Sequence, residues 1–286
     1  HVSIVVTGAT GHLGHLVVES LLERGVPASS ITAVGRSTDR ISDLAERGVR
    51  VVAADYKDPA SLDAAFAGAE VVLLVSSSDF DDRAGQHRNA IDAATRAGAS
   101  RIVYTSGPQA LTSSVLLMSD HRATEEYLAA SSVPSTVLRN AWYVENYTAQ
   151  LDTYLEHGMV GSAGDGRVSL APRADYAEAA AVVLTTDGHE GRTYELGGEA
   201  VTLPQLAAAI SEATGRAVAY TDVPVDAFAG ILAGAGLPDP LPVIFADVDR
   251  GIAAGELEVD PADLEAILGR PATPVAVALR AAVAAR

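Results

Sequence analysis

Residues 2–14, Val2-Ser-Ile-Val-Val-Thr-Gly-Ala-Thr-Gly-His-Leu-Gly14, decide the fold of this chain. The apolar run at the start of this stretch is typical of a buried strand, and Leu13–Leu21 has apolar residues at helical spacing. Between the two, Gly8 permits a tight turn, Gly11 lets the backbone approach a pyrophosphate, and Gly14 lets the helix pack close to the strand. The start of the helix adds free N–H groups and the positive end of its dipole. We therefore predict a strand–loop–helix unit that binds a dinucleotide.

Outward from this loop, short apolar runs alternate with helical segments. The predicted strands are Val2–Val6, Ile31–Val34, Val49–Ala54, Val71–Val75, Arg101–Thr105 and Ser135–Leu138. The apolar residues in these runs are consecutive rather than alternating, as expected of strands that are covered on both faces. Alternating strands and helices with short connections predict right-handed crossovers. The sequence therefore predicts an α/β fold with a doubly wound parallel Rossmann sheet.

After Leu138 the chain becomes mostly helical and is punctuated by prolines. A helical stretch is predicted at Val144–Glu156, followed by a glycine-rich turn at Gly161–Gly166. A helix near Asp175–Leu184 and a strand near Thr193–Leu196 are expected to rejoin the main sheet. The expected domains are an NAD(P)-binding Rossmann domain (residues 1–140 plus about 173–198) and a smaller, mostly helical substrate-binding lobe (about 141–172 and 199–286).

The composition excludes several classes of function. The 286 residues carry a formal net charge of −17, which argues against nucleic acid as a ligand and against docking on an anionic membrane. There is no cysteine, so disulfides, thiolate metal sites and a cysteine nucleophile are excluded. Apolar runs such as Val71–Val75 are too short to span a bilayer, and no signal-peptide pattern precedes the first strand. A cytoplasmic location is therefore expected.

The end of the second predicted strand indicates which dinucleotide binds. NAD sites place an acidic residue there for the ribose 2′-hydroxyl, whereas NADP sites use an arginine for the 2′-phosphate. Arg36 stands at this position, so NADPH is predicted over NADH. Asp39 follows closely and is expected to face solvent or to cap the next helix.

Two further strand ends supply candidate cofactor contacts. Asp55 follows the third strand and is either an acceptor for the adenine amino group or part of a turn. Ser76–Ser78 follow the fourth strand, where their hydroxyl and backbone groups can touch the cofactor. The alternative for these serines is a capping cluster that continues into Asp79, Asp81 and Asp82, which need no metal ion to explain them.

The catalytic dyad of short-chain dehydrogenases is missing. In Tyr-x-x-x-Lys the lysine lowers the tyrosine pKa, so that a phenolate can take a proton from an alcohol. Lys57 is the only lysine, and no tyrosine stands four residues before it. Reduction of a ketone forms an alkoxide, whose conjugate alcohol has a pKa of about 16, so the reaction needs a positioned acid or base. Reduction of a quinone forms a phenolate-like anion, whose conjugate acid has a pKa of about 10, so its protonation is easier. The sequence therefore favours a quinone or another easily reduced conjugated acceptor.

Several motifs together resemble one family. They are Thr7-Gly8-Ala9-Thr10-Gly11-His12-Leu13-Gly14, Ser76-Ser77-Ser78, Gln86-His87-Arg88-Asn89, Tyr104-Thr105-Ser106, Leu138-Arg139-Asn140-Ala141-Trp142-Tyr143-Val144-Glu145-Asn146-Tyr147, Ala163-Gly164-Asp165-Gly166, Arg173-Ala174-Asp175-Tyr176 and Gly188-His189-Glu190-Gly191. Over nearly its whole length the chain resembles the type 2 NAD(P)H:quinone oxidoreductases, atypical short-chain dehydrogenases of the NmrA-like group. Triphenylmethane reductases share much of this motif set.

The resemblance implies NADPH at the switch point of the sheet and direct hydride transfer that reduces a quinone to a hydroquinone. The cofactor contacts it implies are Gly8, Thr10, Gly11, His12, Leu13, Gly14, Arg36, Ser76, Ser77, Ser78, Asn140, Trp142, Tyr143, Glu145 and Arg173. Trp142 and Tyr143 also suit stacking on a flat aromatic substrate, and Tyr143 is the candidate proton donor. Residues 107–121 depart from the family pattern, and Glu126 stands where relatives often have lysine.

The remaining candidates are histidines and one serine. His15 is expected at the surface with no cluster of metal ligands around it, and His12 is expected near phosphate. His121 is expected at the surface, with a proton-donor role as the alternative. Ser106 stands where short-chain dehydrogenases keep a catalytic serine, but it lacks the accompanying dyad.

Two other functions stay open at this point. NmrA-like proteins include NADP-binding sensors that regulate a partner without turnover. The acceptor can also be a polycyclic aromatic natural product or a dye. The Leu-, Ile- and Ala-rich helices of the C-terminal lobe suit a regulatory partner and a homodimer equally well.

Overall fold

A computed structural model describes all 286 residues of the chain. Its strands are β1 (Ile4–Val6), β2 (Ile31–Gly35), β3 (Arg50–Ala53), β4 (Val71–Leu74), β5 (Arg101–Ser106), β6 (Ser135–Asn140), β7 (Trp142–Tyr143), β8 (Met159–Gly161), β9 (Arg167–Ala171), β10 (Thr193–Leu196), β11 (Glu199–Thr202) and β12 (Tyr220–Asp222). Its helices are α1 (His12–Glu23), α2 (Ser42–Glu46), α3 (Pro59–Phe66), α4 (Arg83–Arg96), α5 (Met118–Ala130), α6 (Glu145–Thr148), α7 (Leu151–His157), α8 (Arg173–Thr185), α9 (Leu203–Thr214), α10 (Val225–Gly234), α11 (Leu241–Ala253), α12 (Ala262–Leu268) and α13 (Val275–Ala284). None of these helices has the length and apolar character that a bilayer-spanning segment requires.

The central feature is a seven-stranded sheet in the order β10-β6-β5-β4-β1-β2-β3. The pairings that join β1 to β6 are all parallel. Helix α1 packs on α8 and α3 packs on α4. The strand order runs one way from β1 through β2 and the other way through β4, so the switch point lies at the carboxyl ends of β1 and β4. The predicted α/β fold with a doubly wound parallel sheet is confirmed.

The contacts within the chain define two compact units. The first contains residues 1–107, 120–139 and 173–194, and the second contains residues 108–119, 140–172 and 195–286. The boundaries expected from the sequence had kept residues 108–119 with the first unit. The first unit holds an apolar cluster around Phe66, Ile91 and Tyr104. The second has its own apolar cluster, which includes Tyr147, Leu206 and Ile252.

The second unit contains more β-structure than the sequence predicted. Strands β11, β9 and β7 form one small sheet, and β12 pairs with β8 in another. The stretch predicted as one helix over Val144–Glu156 is two short helices, α6 and α7. The predicted glycine-rich turn lies between β8 and β9. These strands have two to five residues, which is too short for hydrophobic alternation to reveal them.

One helix of the first unit was not predicted. Helix α3 begins with Pro59 after Asp58, whose carboxylate accepts hydrogen bonds from the N–H groups of Ala60 and Ser61. An aspartate cap followed by proline in the first turn is a start signal that the sequence did carry.

Candidate functional site

The glycine loop joins β1 to α1, and backbone hydrogen bonds fix it internally and to strand β2. Gly8 has a φ of +61°, in the left-handed region that favours glycine. The Gly11 N–H closes the turn on the Gly8 carbonyl at 3.0 Å, and the Ala9 N–H donates to the Val34 carbonyl at 2.9 Å. The loop is therefore fastened to the neighbouring strand β2.

The start of α1 is shaped for an anion. A Cβ added to Gly14 would lie 2.3 Å from the Gly8 carbonyl oxygen, so only glycine permits this approach of helix and loop. Gly11 caps the helix without a side-chain hydrogen bond, and no acidic residue lies in the first turn. Hence the N–H groups of His12 and Leu13 meet no competing carboxylate at the end of the helix. Of the remaining loop candidates, Thr10 is half-buried beside Gly35 and His12 is exposed.

Arg36 directly follows the last residue of β2. Its side chain is exposed, and the structure gives it no hydrogen bond and no ion pair. A free guanidinium at this position suits a 2′-phosphate. Asp39 is exposed in a short 3-10 turn, as expected.

Asp55 lies two residues after the end of β3 and is half-buried. Its carboxylate accepts a hydrogen bond from the Lys57 N–H at 2.9 Å, and its own N–H donates to Ser61 Oγ at 3.0 Å. Asp55 is thus part of a turn, and its role as an acceptor for the adenine amino group stays a prediction. The neighbouring Tyr56 reaches under the glycine loop, where its hydroxyl lies 2.6 Å from Thr7 Oγ1.

The three serines after β4 differ in their surroundings. The Ser76 N–H donates to Thr105 Oγ1 at 2.9 Å, and Ser78 is exposed. Ser77 is buried, and its hydroxyl donates to Gln86 Oε1 at 2.8 Å. Ser77 therefore shapes the loop and has no hydroxyl hydrogen to offer a ligand. As predicted, Asp82 caps α4, since its carboxylate accepts from the Gly85 N–H.

A buried histidine, His87, is hydrogen-bonded to the loop after β4. His87 Nε2 accepts the Ser77 N–H at 2.9 Å, and His87 Nδ1 lies 2.9 Å from Thr124 Oγ1. Because the Thr124 hydroxyl donates to the Asp120 carbonyl, we assign the ring proton to Nδ1 of His87. Burial lowers the pKa of His87 to about 3, so the ring stays neutral and keeps its acceptor.

The predicted surface position of His121 is wrong. His121 is buried, and its Nδ1 lies 2.5 Å from the Tyr104 hydroxyl. Helix α5 begins at Met118, three residues before His121, and turns the ring towards β5. Burial lowers the pKa of His121 and raises that of Tyr104, so both groups are uncharged near neutral pH.

Ser106 is held in a chain of side chains. Its hydroxyl donates to Glu125 Oε1 at 2.6 Å. Arg139 binds the same carboxylate in a bidentate manner, with Nε at 2.9 Å and Nη2 at 2.7 Å. Sequence reasoning missed Glu125, because its two partners lie 19 and 14 residues away and only the fold brings them together.

In the second unit, Asn140 ends β6 and is buried. Its Nδ2 lies 3.5 Å from the Tyr143 hydroxyl, and its Oδ1 is buried without a hydrogen-bond partner. A buried acceptor without a partner is expected to be satisfied by a ligand or by water. Trp142 and Tyr143 form β7 and are half-buried, as is Glu145 at the start of α6.

Two other candidates lie on the first unit. Arg173 is half-buried and begins α8. His15 is half-buried, with Nε2 at 2.8 Å from Asp43 Oδ2 and Nδ1 at 3.6 Å from Glu19 Oε2. The expectation that His15 has no cluster of ligand-type groups around it is therefore wrong. The sequence missed Asp43 because it lies on α2, far from α1 along the chain.

The structure brings some candidates to one edge of the sheet. Strands β4, β1 and β2 are neighbours, so residues 8–14, Arg36 and residues 76–78 follow adjacent strand ends. The lysine of a short-chain dehydrogenase dyad has no counterpart there. Lys57 is exposed, with its Nζ 2.8 Å from Asp79 Oδ2 and 3.1 Å from Asp81 Oδ2.

Four tyrosines with buried or half-buried side chains are also unsuited to act as phenolate bases. In each of them burial raises the pKa, which is opposite to the change that a catalytic phenolate needs. They are Tyr56, Tyr104, Tyr147 and Tyr154.

Comparison with known proteins supports the resemblance seen in the motifs. Quinone oxidoreductase 2 of Escherichia coli K12 is 47% identical over 275 residues, which cover 96% of this chain and 96% of that protein. The crystal structure of the E. coli NADPH-dependent quinone oxidoreductase complexed with NADPH matches with a TM-score of 0.93 and 46% identity, over 96% of this chain and 98% of that one. The Citrobacter sp. triphenylmethane reductase complexed with NADP(H) matches with a TM-score of 0.92 and 38% identity, over 98% and 100% of the two chains. The model of the NmrA-like family matches residues 1–248. This chain belongs to the NmrA-like family.

Proposed function

We propose that this chain reduces a quinone to a hydroquinone by two electrons, with NADPH as the hydride donor. The observation that carries the proposal is the uncapped start of α1 against the glycine loop, with the unpaired guanidinium of Arg36 at the next strand end. The 47% identity to E. coli quinone oxidoreductase 2 supports the choice of acceptor.

The first unit supplies groups that fit the phosphates. The N–H groups at the start of α1 would bind the pyrophosphate, because no side chain occupies them. The guanidinium of Arg36 would bind the 2′-phosphate through two of its N–H groups. Gly8 and Gly14 keep the loop and helix close enough for this cradle to form. Ser76 and Ser78 line the loop after β4, and His87 fixes that loop through Ser77.

The residues after β6 are proposed to serve the reacting end of the site. Asn140 offers its unpartnered Oδ1 to an amide donor, the chemistry of a nicotinamide carboxamide. Trp142 and Tyr143 offer aromatic surface to a flat acceptor. Glu145 and Arg173 are further proposed cofactor contacts. Tyr143 is the proposed proton donor.

The chemistry required of the protein is modest. NADPH supplies the hydride when it is bound. Reduction of a quinone yields an oxygen anion whose pKa is about 10, so solvent or a single hydroxyl group can protonate it. The side chains therefore mainly orient the two reactants and exclude water. This fits a fold in which Ser106 is bound to Glu125 and the buried tyrosines have raised pKa values.

The test is NADPH oxidation, followed by nicotinamide absorbance, with a small benzoquinone as acceptor and NADH as the comparison. We expect one NADPH consumed per quinone and faster turnover with NADPH than with NADH. The variant Arg36→Gln should raise the KM for NADPH at least about tenfold and leave NADH turnover unchanged. Arg40→Gln, an exposed arginine four residues on, is the matched control.

Two results would contradict the proposal. Tight binding of NADPH without quinone-dependent oxidation would favour a sensor. Turnover with a dye or a polycyclic aromatic compound but not with any simple quinone would keep the reductase and change the acceptor.

A further inference from the structure

Lys57 belongs to an ion-pair cluster beside the proposed 2′-phosphate site. Its Nζ lies 2.8 Å from Asp79 Oδ2 and 3.1 Å from Asp81 Oδ2. The pairs link the turn after β3 to the loop after β4. Asp79 is held a second time, because its Oδ1 accepts the Asp81 N–H at 3.0 Å.

Arg36 and Asp79 follow the carboxyl ends of β2 and β4, the two strands that flank β1, and they carry opposite charges. The hydrogen bond from Lys57 does most to lower the pKa of Asp79, and the positive charge of Arg36 lowers it further. No hydrogen bond joins Asp79 to Arg36, although both side chains are accessible and carry opposite charges. If Lys57 did not hold it, the Asp79 carboxylate would compete with the 2′-phosphate for the guanidinium of Arg36.

We propose that Lys57 is a positioning residue for NADPH selectivity: it holds Asp79 in an ion pair and so leaves Arg36 free for the 2′-phosphate. Without Lys57, the Asp79 carboxylate turns to Arg36 and also repels the doubly negative phosphate. The inference rests on the proposed function, since it assumes that Arg36 binds this phosphate. It assigns a role to the only lysine, which the proposed reaction does not use.

The expected size of the effect follows from the exposure of the cluster. The Lys57 side chain is 44% exposed, so solvent screens its charge. The gain or loss of one screened unit charge near a bound anion changes its affinity by about three- to tenfold. The effect should shrink in high salt.

The experiment compares wild type, Lys57→Met, Asp79→Asn and the double variant. Direct calorimetric binding of 2′,5′-ADP and of 5′-AMP gives phosphate selectivity without any turnover. We expect Lys57→Met to weaken the binding of 2′,5′-ADP about three- to tenfold and to leave the binding of 5′-AMP unchanged. The double variant should bind 2′,5′-ADP at least as tightly as wild type. Steady-state kinetics should show the same pattern as a raised KM for NADPH with unchanged kcat.

Arg96→Met is the matched control. Arg96 is also an exposed cation paired with an aspartate, with Nη2 2.7 Å from Asp63 Oδ1. Arg96 lies at the C-terminal end of α4, so its loss should change the affinity for neither 2′,5′-ADP nor 5′-AMP.

The possible failures are distinguishable. If wild type prefers 2′,5′-ADP and Lys57→Met keeps that preference, the inference is overturned and the proposed function stands. If the double variant retains the loss, the role through Asp79 is wrong. If wild type binds neither nucleotide, the proposed cofactor is wrong, and the inference falls with it.

Discussion

Replacing Gly14 by alanine should weaken NADPH binding strongly and lower the free energy of unfolding only slightly. The added Cβ would lie 2.3 Å from the Gly8 oxygen, 2.7 Å from the Gly8 carbonyl carbon and 2.9 Å from the Ala9 Cα. All three are backbone atoms, so no side chain can swing aside. Ordinary contact begins at 3.4 Å, so α1 must move away from the loop by about 1 Å.

The magnitude follows from two opposing terms. Overpacking of this kind costs about 1–3 kcal/mol, and alanine recovers about 1 kcal/mol of helix propensity. The free energy of unfolding should therefore fall by no more than about 2 kcal/mol. A shift of the first turn by about 1 Å weakens its charge-assisted hydrogen bonds to phosphate, each of which contributes about 1.5–3 kcal/mol. The Kd for NADPH should rise about 10- to 100-fold.

The assays are NADPH fluorescence titration for Kd and urea denaturation for stability. Gly230→Ala is the matched control, because nothing lies within 4 Å of its added Cβ and it stands within α10. It should be slightly more stable and bind NADPH as wild type does. Gly11→Ala is intermediate, since its Cβ would lie 3.3 Å from the Gly8 oxygen. If Gly14→Ala binds NADPH within threefold of wild type, the close approach of α1 and loop does not shape the site.

Two further predictions concern buried carboxylates. Glu125→Ala removes the buried carboxylate that binds Ser106 and Arg139, and it should lower the free energy of unfolding by about 3 kcal/mol in urea denaturation. The substitution of the exposed neighbour, Glu126→Ala, should change it by less than about 0.5 kcal/mol. An equal loss in both variants would refute a specific role for the Glu125–Arg139 pair. Burial raises the pKa of Asp249 to about 6 from 3.8, so between these pH values the folded protein binds more protons than the unfolded chain and stability falls as pH rises. Asp249→Asn should therefore exceed wild type by up to about 3 kcal/mol at pH 7.5 and lose this advantage below pH 4. The exposed Asp226→Asn should follow wild type at every pH, and an Asp249→Asn advantage that persists at pH 3.5 would contradict the assignment.

The sequence alone determined the central sheet and the position of the cofactor loop. Strands β1 to β6 are built around short apolar runs, and β10 was found at Thr193–Leu196 as predicted. The prediction that Arg36 stands at the end of the second strand agrees with the structure, in which it directly follows β2. These features depend on contacts that are local or repeated along the chain, and such contacts leave a pattern in the residues.

Only the tertiary structure decided which side chains meet. His121 was expected at the surface and is buried against Tyr104, and nothing in the sequence pairs Glu125 with Ser106 and Arg139. The short strands of the second unit escaped prediction for a related reason, because partners distant along the chain specify them and their own few residues do not. Hydrophobic periodicity records which face of an element is buried, but a hydrogen bond between distant elements depends on how the chain folds back on itself.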